Sequence, residues 1–274
     1  MSAARDSGPQ PGLTVNRALL LGALQGPAEL LPVSSSAHLS LVPWFAGWRF
    51  DTLRPASQKD FEVALHAGTA AGMLIGQGRA SGAELRRVDL SRSAAIGLAA
   101  AVPALVGLVL ERPIEERFGG PRTIAASLVA GAAAMLLADR RPQDRSGWEL
   151  GPADGLALGV AQAAALFPGI SRTGATVAAA RSRRFSRAEA NALSRTVALP
   201  VVAGAAALRL RRRRRGDRTP AVRRGMAAGG SAAVISTLAS QRLIPLLDRG
   251  RPWPYAAYRL ALAGAIVAKL RRGA

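Results

Sequence analysis

The chain has 274 residues, 49% of them hydrophobic, carries a formal charge of +20 and contains no cysteine. The missing thiols exclude disulfides, thiol catalysis and thiolate zinc sites, and its two histidines do not form an H-E-x-x-H metal centre. The charge does not point to nucleic acid, because the arginines fall between apolar stretches, aromatic residues make up only 4%, and no helix-turn-helix, zinc-finger or RRM pattern is present. No nucleic-acid partner is expected; basic loops beside apolar runs are the signature of anchoring to anionic lipid headgroups.

Residues 1–12 are polar and are expected to be a mobile terminus. The apolar run after them holds Glu29 and two prolines and has no convincing cleavage site, so it reads as mature protein. Apolar segments then follow at 13–31, 61–76, 93–110, 123–138, 154–167, 190–208, 224–247 and 255–270, with short apolar pieces at 37–46 and 174–180. A helix needs about 20 residues to span a bilayer core. So many apolar segments, with little polar sequence between them, predict an all-α polytopic membrane protein. The pieces of about a dozen residues that end in Pro and Gly are too short to cross, and suit re-entrant half-helices lining a wet cavity.

Two interrupted segments resemble each other. The first reads GALQGPAELLPVSSSAH over 22–38, the second GVAQAAALFPGISRTGAT over 159–176. Each has a Gly, a Gln three residues on, an apolar run, a Pro, and then hydroxyl residues at a break. This predicts one membrane domain made of two repeats, 13–145 and 146–274. Three spans between the breaks would invert one half against the other, placing a binding site near the repeat interface. Arginines at 79, 86, 87, 140, 141, 181, 183 and 184 are expected on one face and the run at 211–215, a headgroup-binding loop, with 223 and 224 on the other, so charge does not fix orientation.

The breaks carry the chemistry. Glu29 lies in an apolar run, where a charge costs about 2.5–3.5 kcal/mol on insertion scales and is kept when it faces a cavity and a partner. Pro32 ends the helix, and Ser34, Ser35 and Ser36 then offer hydroxyls and N–H groups at the next helix start, a natural phosphate cradle. His38 follows within one turn. The second break has the complementary charge: Arg172 among Ser171, Thr173, Gly174 and Thr176, with glycine allowing close approach and arginine able to grip phosphate in a bidentate manner. Together these supply an anion clamp, an acid/base or nucleophile, and a carboxylate, Glu29, able to hold a divalent cation. Glu62 and His66, four apart, read as a structural polar pair.

These residues resemble the signatures of the undecaprenyl-diphosphatase (bacitracin-resistance) family, the first over 22–39 and the second over 168–176. The similarity extends to FEVALHAGT at 61–69, VPALVGLVLE at 102–111 and YRLALAGAIV at 258–267. The resemblance implies a helical fold of two inverted halves with re-entrant hairpins. It implies hydrolysis of undecaprenyl diphosphate to the monophosphate that carries cell-wall precursors, hence bacitracin resistance. It also implies dependence on a divalent cation (Mg2+ or Ca2+), and residence in the plasma membrane of a bacterium.

Position by position, Glu29, Ser35 and His38 match functional residues of the first signature, and Ser171, Arg172 and Thr176 match those of the second. With Arg172, the first three are the expected catalytic set. Gln25, Ser34, Ser36, Ser171, Thr173, Gly174 and Thr176 are expected to bind substrate. Gln25 stands where the family often has a second acid, so it cannot add negative charge to the site. His38 or Ser35 could attack phosphorus, or a water could attack with Glu29 or His38 as base. A transporter or flippase of polyprenyl phosphate is the competing expectation. Oligomeric state is not legible.

Overall fold

A computed structural model describes residues 12–50, 53–77, 89–146, 149–211, 220–248 and 250–273. Residues 1–11 of the expected mobile terminus, Arg79, Arg86 and Arg87, and 212–215 of the arginine run lie outside the described residues. Among those described, the chain forms ten helices and no named strand. In chain order they are α1 Val15–Leu30, α2 Ser35–Phe45, α3 Pro55–Gln77, α4 Leu90–Phe118, α5 Pro121–Asp139, α6 Pro152–Ala164, α7 Arg172–Ser182, α8 Arg187–Arg211, α9 Pro220–Leu247 and α10 Trp253–Arg272.

The apolar segments set these helices, and the ends were extended by capping and by proline. Thr14 caps α1 by accepting from the Arg17 N–H, and Asp89 caps α4 by accepting from Arg92. Pro121 and Pro152 occupy the first positions of α5 and α6, where no N–H is missed. The helix α4 runs on through Pro113 to Phe118, well past the end of its apolar segment.

The first five and last five helices match in length: 16, 11, 23, 29 and 19 residues against 13, 11, 25, 28 and 20. They also exchange partners. The broken helix α1 packs along α9, the fourth helix of the other half, and the broken helix α6 packs along α4. Both seams are built from glycine. A Cβ on Gly22 would collide with the Gly229 carbonyl of α9, and one on Gly155 with the Ala95 carbonyl of α4. Backbone on both sides leaves nothing able to move aside.

Much of the outer surface is apolar. Leu105, Val109 and Leu110 of α4, Leu136 and Leu137 of α5, and Leu260 and Val267 of α10 are exposed. By length and composition, α4 and α5 are the two helices among the described residues able to cross a membrane. Apolar surface on this scale requires cover other than water.

Ion pairs close one end of the bundle. Arg187 forks onto Asp139 at 2.7 and 2.9 Å, Arg195 onto Asp248 at 2.7 and 2.8 Å, and Arg145 onto Asp154 at 2.9 and 3.0 Å. Arg181 is buried and donates to the carbonyls of Pro142, Asp139, Arg141 and Phe185. Arg183 and Arg184 are half-tied as well, to Asp154 and Asp144.

Candidate active site

The two breaks meet. Pro32 interrupts the chain between α1 and α2, and Pro168 with Gly169 does so between α6 and α7, so helices α2 and α7 both begin at one cavity of about 580 Å³. Ser34, Ser35 and Ser36 line it at the start of α2, and Ser171 and Arg172 at the start of α7, so two helix N-termini with their positive dipole ends lie beside the same space. The remaining wall is mainly apolar, from Ala100, Pro103 and Leu108 of α4 to Pro200 and Val202 of α8, with Glu111 and Gln162 among them. A charged head and a greasy tail would both find a place in such a cavity.

At its polar end, Glu29 and Arg172 face each other across 143 residues of sequence. The Arg172 Nη2 and Nε donate to Glu29 Oε1 at 3.2 and 3.4 Å. The other carboxylate oxygen, Oε2, accepts from the Ser35 hydroxyl at 2.6 Å and from the Gln25 amide at 3.2 Å. The His66 Nε2 lies 3.9 Å from the same oxygen. Glu29 and Arg172 are only 6% and 13% exposed, so their mutual charge compensation takes place largely out of water. Two polar atoms stay without a protein partner there: Arg172 Nη1 and Gln25 Oε1. Arg172 lines the cavity, so its open donor suits a ligand there, whereas Gln25, expected to bind substrate, does not line it and reaches the site through Glu29.

The structure gathers the expected residues unequally. Glu29, Ser35 and Arg172 touch. Ser34, Ser36 and Ser171 line the cavity, although Ser34 and Ser171 also cap their helices by accepting from the Ala37 and Gly174 N–H groups. Thr173, Gly174 and Thr176 do not line it. Thr173 donates to the Glu29 carbonyl at 2.8 Å, and Thr176 is held among the Arg172 and Thr173 carbonyls and the Ser194 hydroxyl. Gly174 is packed against Met135 and Arg259. These three shape the second break from behind the cavity lining.

His38 departs from expectation. Its ring leaves the cavity lining and stacks on Tyr258 of α10 with centroids 5.7 Å apart. Nδ1 points to the Ser34 carbonyl at 2.7 Å, which places the proton there, and Nε2 then accepts from the Tyr258 hydroxyl at 2.6 Å. Both nitrogens are spent. The histidine that enters the cavity is His66, read from sequence as half of a structural pair with Glu62. It uses Nδ1 to donate to the Glu62 carbonyl at 2.8 Å and turns Nε2 toward Glu29, while the Glu62 carboxylate pairs with Lys59.

Sequence reasoning also passed over Arg259, which is fully buried in α10. A lone arginine inside the apolar run YRLALAGAIV was the available signal.

Residues 18–265 match the family model described as bacitracin resistance protein BacA. Relatives named undecaprenyl-diphosphatase include one from Geobacter sulfurreducens, 37% identical and aligned over 94% of this chain and 99% of its own length. Those from Geobacter metallireducens and Moorella thermoacetica are 39% and 34% identical, over 90% and 93% of this chain and 95% and 98% of their own. With a family model covering most of its length and relatives aligned nearly end to end, the chain belongs to the bacitracin resistance protein BacA family.

Proposed function

We propose that this chain hydrolyses undecaprenyl diphosphate to undecaprenyl phosphate and phosphate, returning the lipid carrier to cell-wall synthesis. The observation that carries this reading is the 2.6 Å bond from the Ser35 hydroxyl to Glu29, formed where Arg172 leaves one N–H open to a ligand. A flippase needs an anion clamp, but it does not need a serine poised on a carboxylate.

In the proposed reaction the diphosphate lies between the two helix N-termini and the prenyl chain runs along the apolar wall. Ser35 Oγ attacks the terminal phosphorus while Glu29 Oε2 accepts the hydroxyl proton. The phosphoanhydride bond breaks, and the prenyl monophosphate leaves with the bridging oxygen and its electron pair. Arg172 offers its open N–H to the transferring phosphoryl oxygens and so stabilises charge that is greatest in the transition state. Water then attacks the phosphoserine, passing its proton to His66 Nε2, the one ring nitrogen turned into the cavity; the bond from phosphorus to Ser35 Oγ breaks, phosphate leaves, and Ser35 recovers its proton from Glu29. His38 has no free nitrogen for either step, and we place it outside the reacting set.

The residues present fit a divalent cation only in the company of the substrate. Glu29 and Glu111 are the acidic residues of the cavity lining, and Gln25 Oε1 beside Glu29 is a buried oxygen with no partner; so few oxygens suit an ion taking most of its ligands from diphosphate and water. Among the described residues no cluster of three or more acidic, histidine or cysteine side chains offers a ready-made site. When bound, Mg2+ or Ca2+ would neutralise diphosphate charge.

We further infer that the chain crosses the plasma membrane of a bacterium several times, as two inverted halves with re-entrant hairpins α1–α2 and α6–α7. The matched helix lengths, the exchanged partners α1–α9 and α6–α4, and the short broken helices support this. A phosphate-release assay on undecaprenyl diphosphate, run on purified protein with and without chelator, tests the activity. Release of phosphate is expected. Binding of the lipid with no phosphate liberated over many hours would instead leave the transporter standing.

A further inference from the structure

Arg259 sits in the middle of α10 with no exposed surface and no carboxylate among its bonds. Its guanidinium is spent on four backbone carbonyls. Nε donates to Leu128 at 3.1 Å and Nη2 to Ser127 at 3.3 Å, both on α5. Nη1 donates to Pro32 at 3.2 Å, and Nη2 also to Gly169 at 3.1 Å. The last two carbonyls belong to the two breaks, one each. They are the groups that a broken helix leaves without partners, and at this depth no solvent replaces them.

The neighbouring side chain grips the same turn a few residues on. The Tyr258 hydroxyl holds His38 Nε2 at 2.6 Å, and His38 Nδ1 holds the Ser34 carbonyl at 2.7 Å. Ser34 needs holding. It has φ of +75°, a conformation that costs a residue with a Cβ about 1–3 kcal/mol and persists only when its surroundings impose it. Space for the guanidinium is reserved by glycine: a Cβ on Gly131 would fall well inside contact with Nη2.

Resting on the phosphatase reading above, we propose that Tyr258 and Arg259 are positioning residues: one pair on α10 fixes the distance between the breaks and the aim of the serine turn, and so sets Ser35 and Glu29 against Arg172. Neither side chain touches the reacting atoms. Arg259 acts through Pro32 and Gly169, and Tyr258 acts through His38 and Ser34. A burial cost this large is offset because the arginine satisfies both breaks at once. An apolar side chain of equal size would leave their carbonyls unbonded and free to separate.

The absence of native cysteine allows a direct test. Spin labels at Ser40 of α2 and Ser182 of α7, both exposed, report the separation of the two helices that start at the breaks. Arg259→Lys keeps charge but loses the fork. We expect it to broaden that distance distribution and to lower kcat per folded molecule about 100-fold with KM changed little, the penalty of a misplacement of about 1 Å. Tyr258→Phe should leave the separation narrow while lowering kcat about tenfold, consistent with the loss of one hydrogen bond. Gly131→Ala, which displaces the guanidinium without removing it, should reproduce Arg259→Lys, and serves if that variant does not fold. A purely architectural arginine would lower thermal stability and leave kcat of the folded fraction untouched. That result, or a narrow distribution with wild-type kcat in both Gly131→Ala and Tyr258→Phe, overturns the proposal. If wild-type protein releases no phosphate, the phosphatase reading fails, and the label distances still decide whether Arg259 holds the breaks together.

Discussion

The two breaks solve one geometric problem in different ways. The second turns through Gly169 at φ of +97°, a conformation that costs glycine little. The first turns through Ser34 at φ of +75°, strained for a residue with a Cβ, and is held by hydrogen bonds from His38, Ala37 and Ser36. Relaxed backbone presents the cation Arg172. Strained backbone presents the hydroxyl of Ser35 to its base, Glu29, at the end of α1. The asymmetry teaches that both groups must be placed, but that aiming the hydroxyl takes a strained turn held by its neighbours, whereas the clamp is carried by a turn that glycine adopts freely.

The sharpest way to break this comparison is to remove the aimed group. Ser35→Ala should lower kcat by about four orders of magnitude or more, as loss of an activated nucleophile does. It should also abolish any acid-stable phosphoserine in rapid-quench experiments with labelled substrate. Retention of even a tenth of wild-type turnover would mean that water attacks directly and that Ser35 only caps α2.

Removing the clamp should cost less catalysis and more stability. Arg172→Ala is expected to lower kcat about 10²–10³-fold, the scale for losing a donor to transition-state charge. It also leaves the Glu29 carboxylate buried without its cation, a loss of about 3–5 kcal/mol in unfolding experiments in detergent. Adding Glu29→Gln should restore most of the stability and none of the turnover. If the double variant is no more stable than the single, the pair is not the buried unit its geometry describes.

Much of the fold was legible because Pro32, Pro168 and the lone charges beside them interrupt apolar runs, and interruption is a local signal. The meeting of Glu29 with Arg172 was not local; it depends on α2 and α7 starting at one cavity, and complementary charge, the likeness of the two segments and the family signatures pointed to one shared site without giving the contact. The histidines show where pattern reading ends. His38 and His66 each sit one turn from chemistry on a helix, and sequence spacing favours His38. Packing decides otherwise: α10 brings Tyr258 against α2 and takes the His38 ring, while α3 turns His66 into the cavity. Arg259 was hidden by abundance, one of 37 basic residues. Its depth in an apolar run distinguished it, and its charge alone did not.

The histidine exchange gives a smaller effect. His38→Ala removes the prop under the Ser34 carbonyl without touching the cavity lining, so turnover should fall about tenfold, near the worth of one hydrogen bond. KM should stay put, measured in steady state over a range of substrate. Complete loss of turnover in a folded His38→Ala protein would return the residue to the reacting set.

The smallest and most discriminating change makes the first break resemble the second. Ser34→Gly relieves the strain at φ of +75°, a gain of about 1–3 kcal/mol. Against it stand the added freedom of an unfolded glycine, about 0.4–1 kcal/mol, and the lost cap, a few tenths. Relief wins, and the folded protein should be more stable by about 1 kcal/mol in thermal unfolding. Turnover should nonetheless fall severalfold, because a turn that rests comfortably in several conformations no longer directs Ser35 at one. A variant both more stable and equally active would show that the strain is incidental and that the two breaks differ in charge alone.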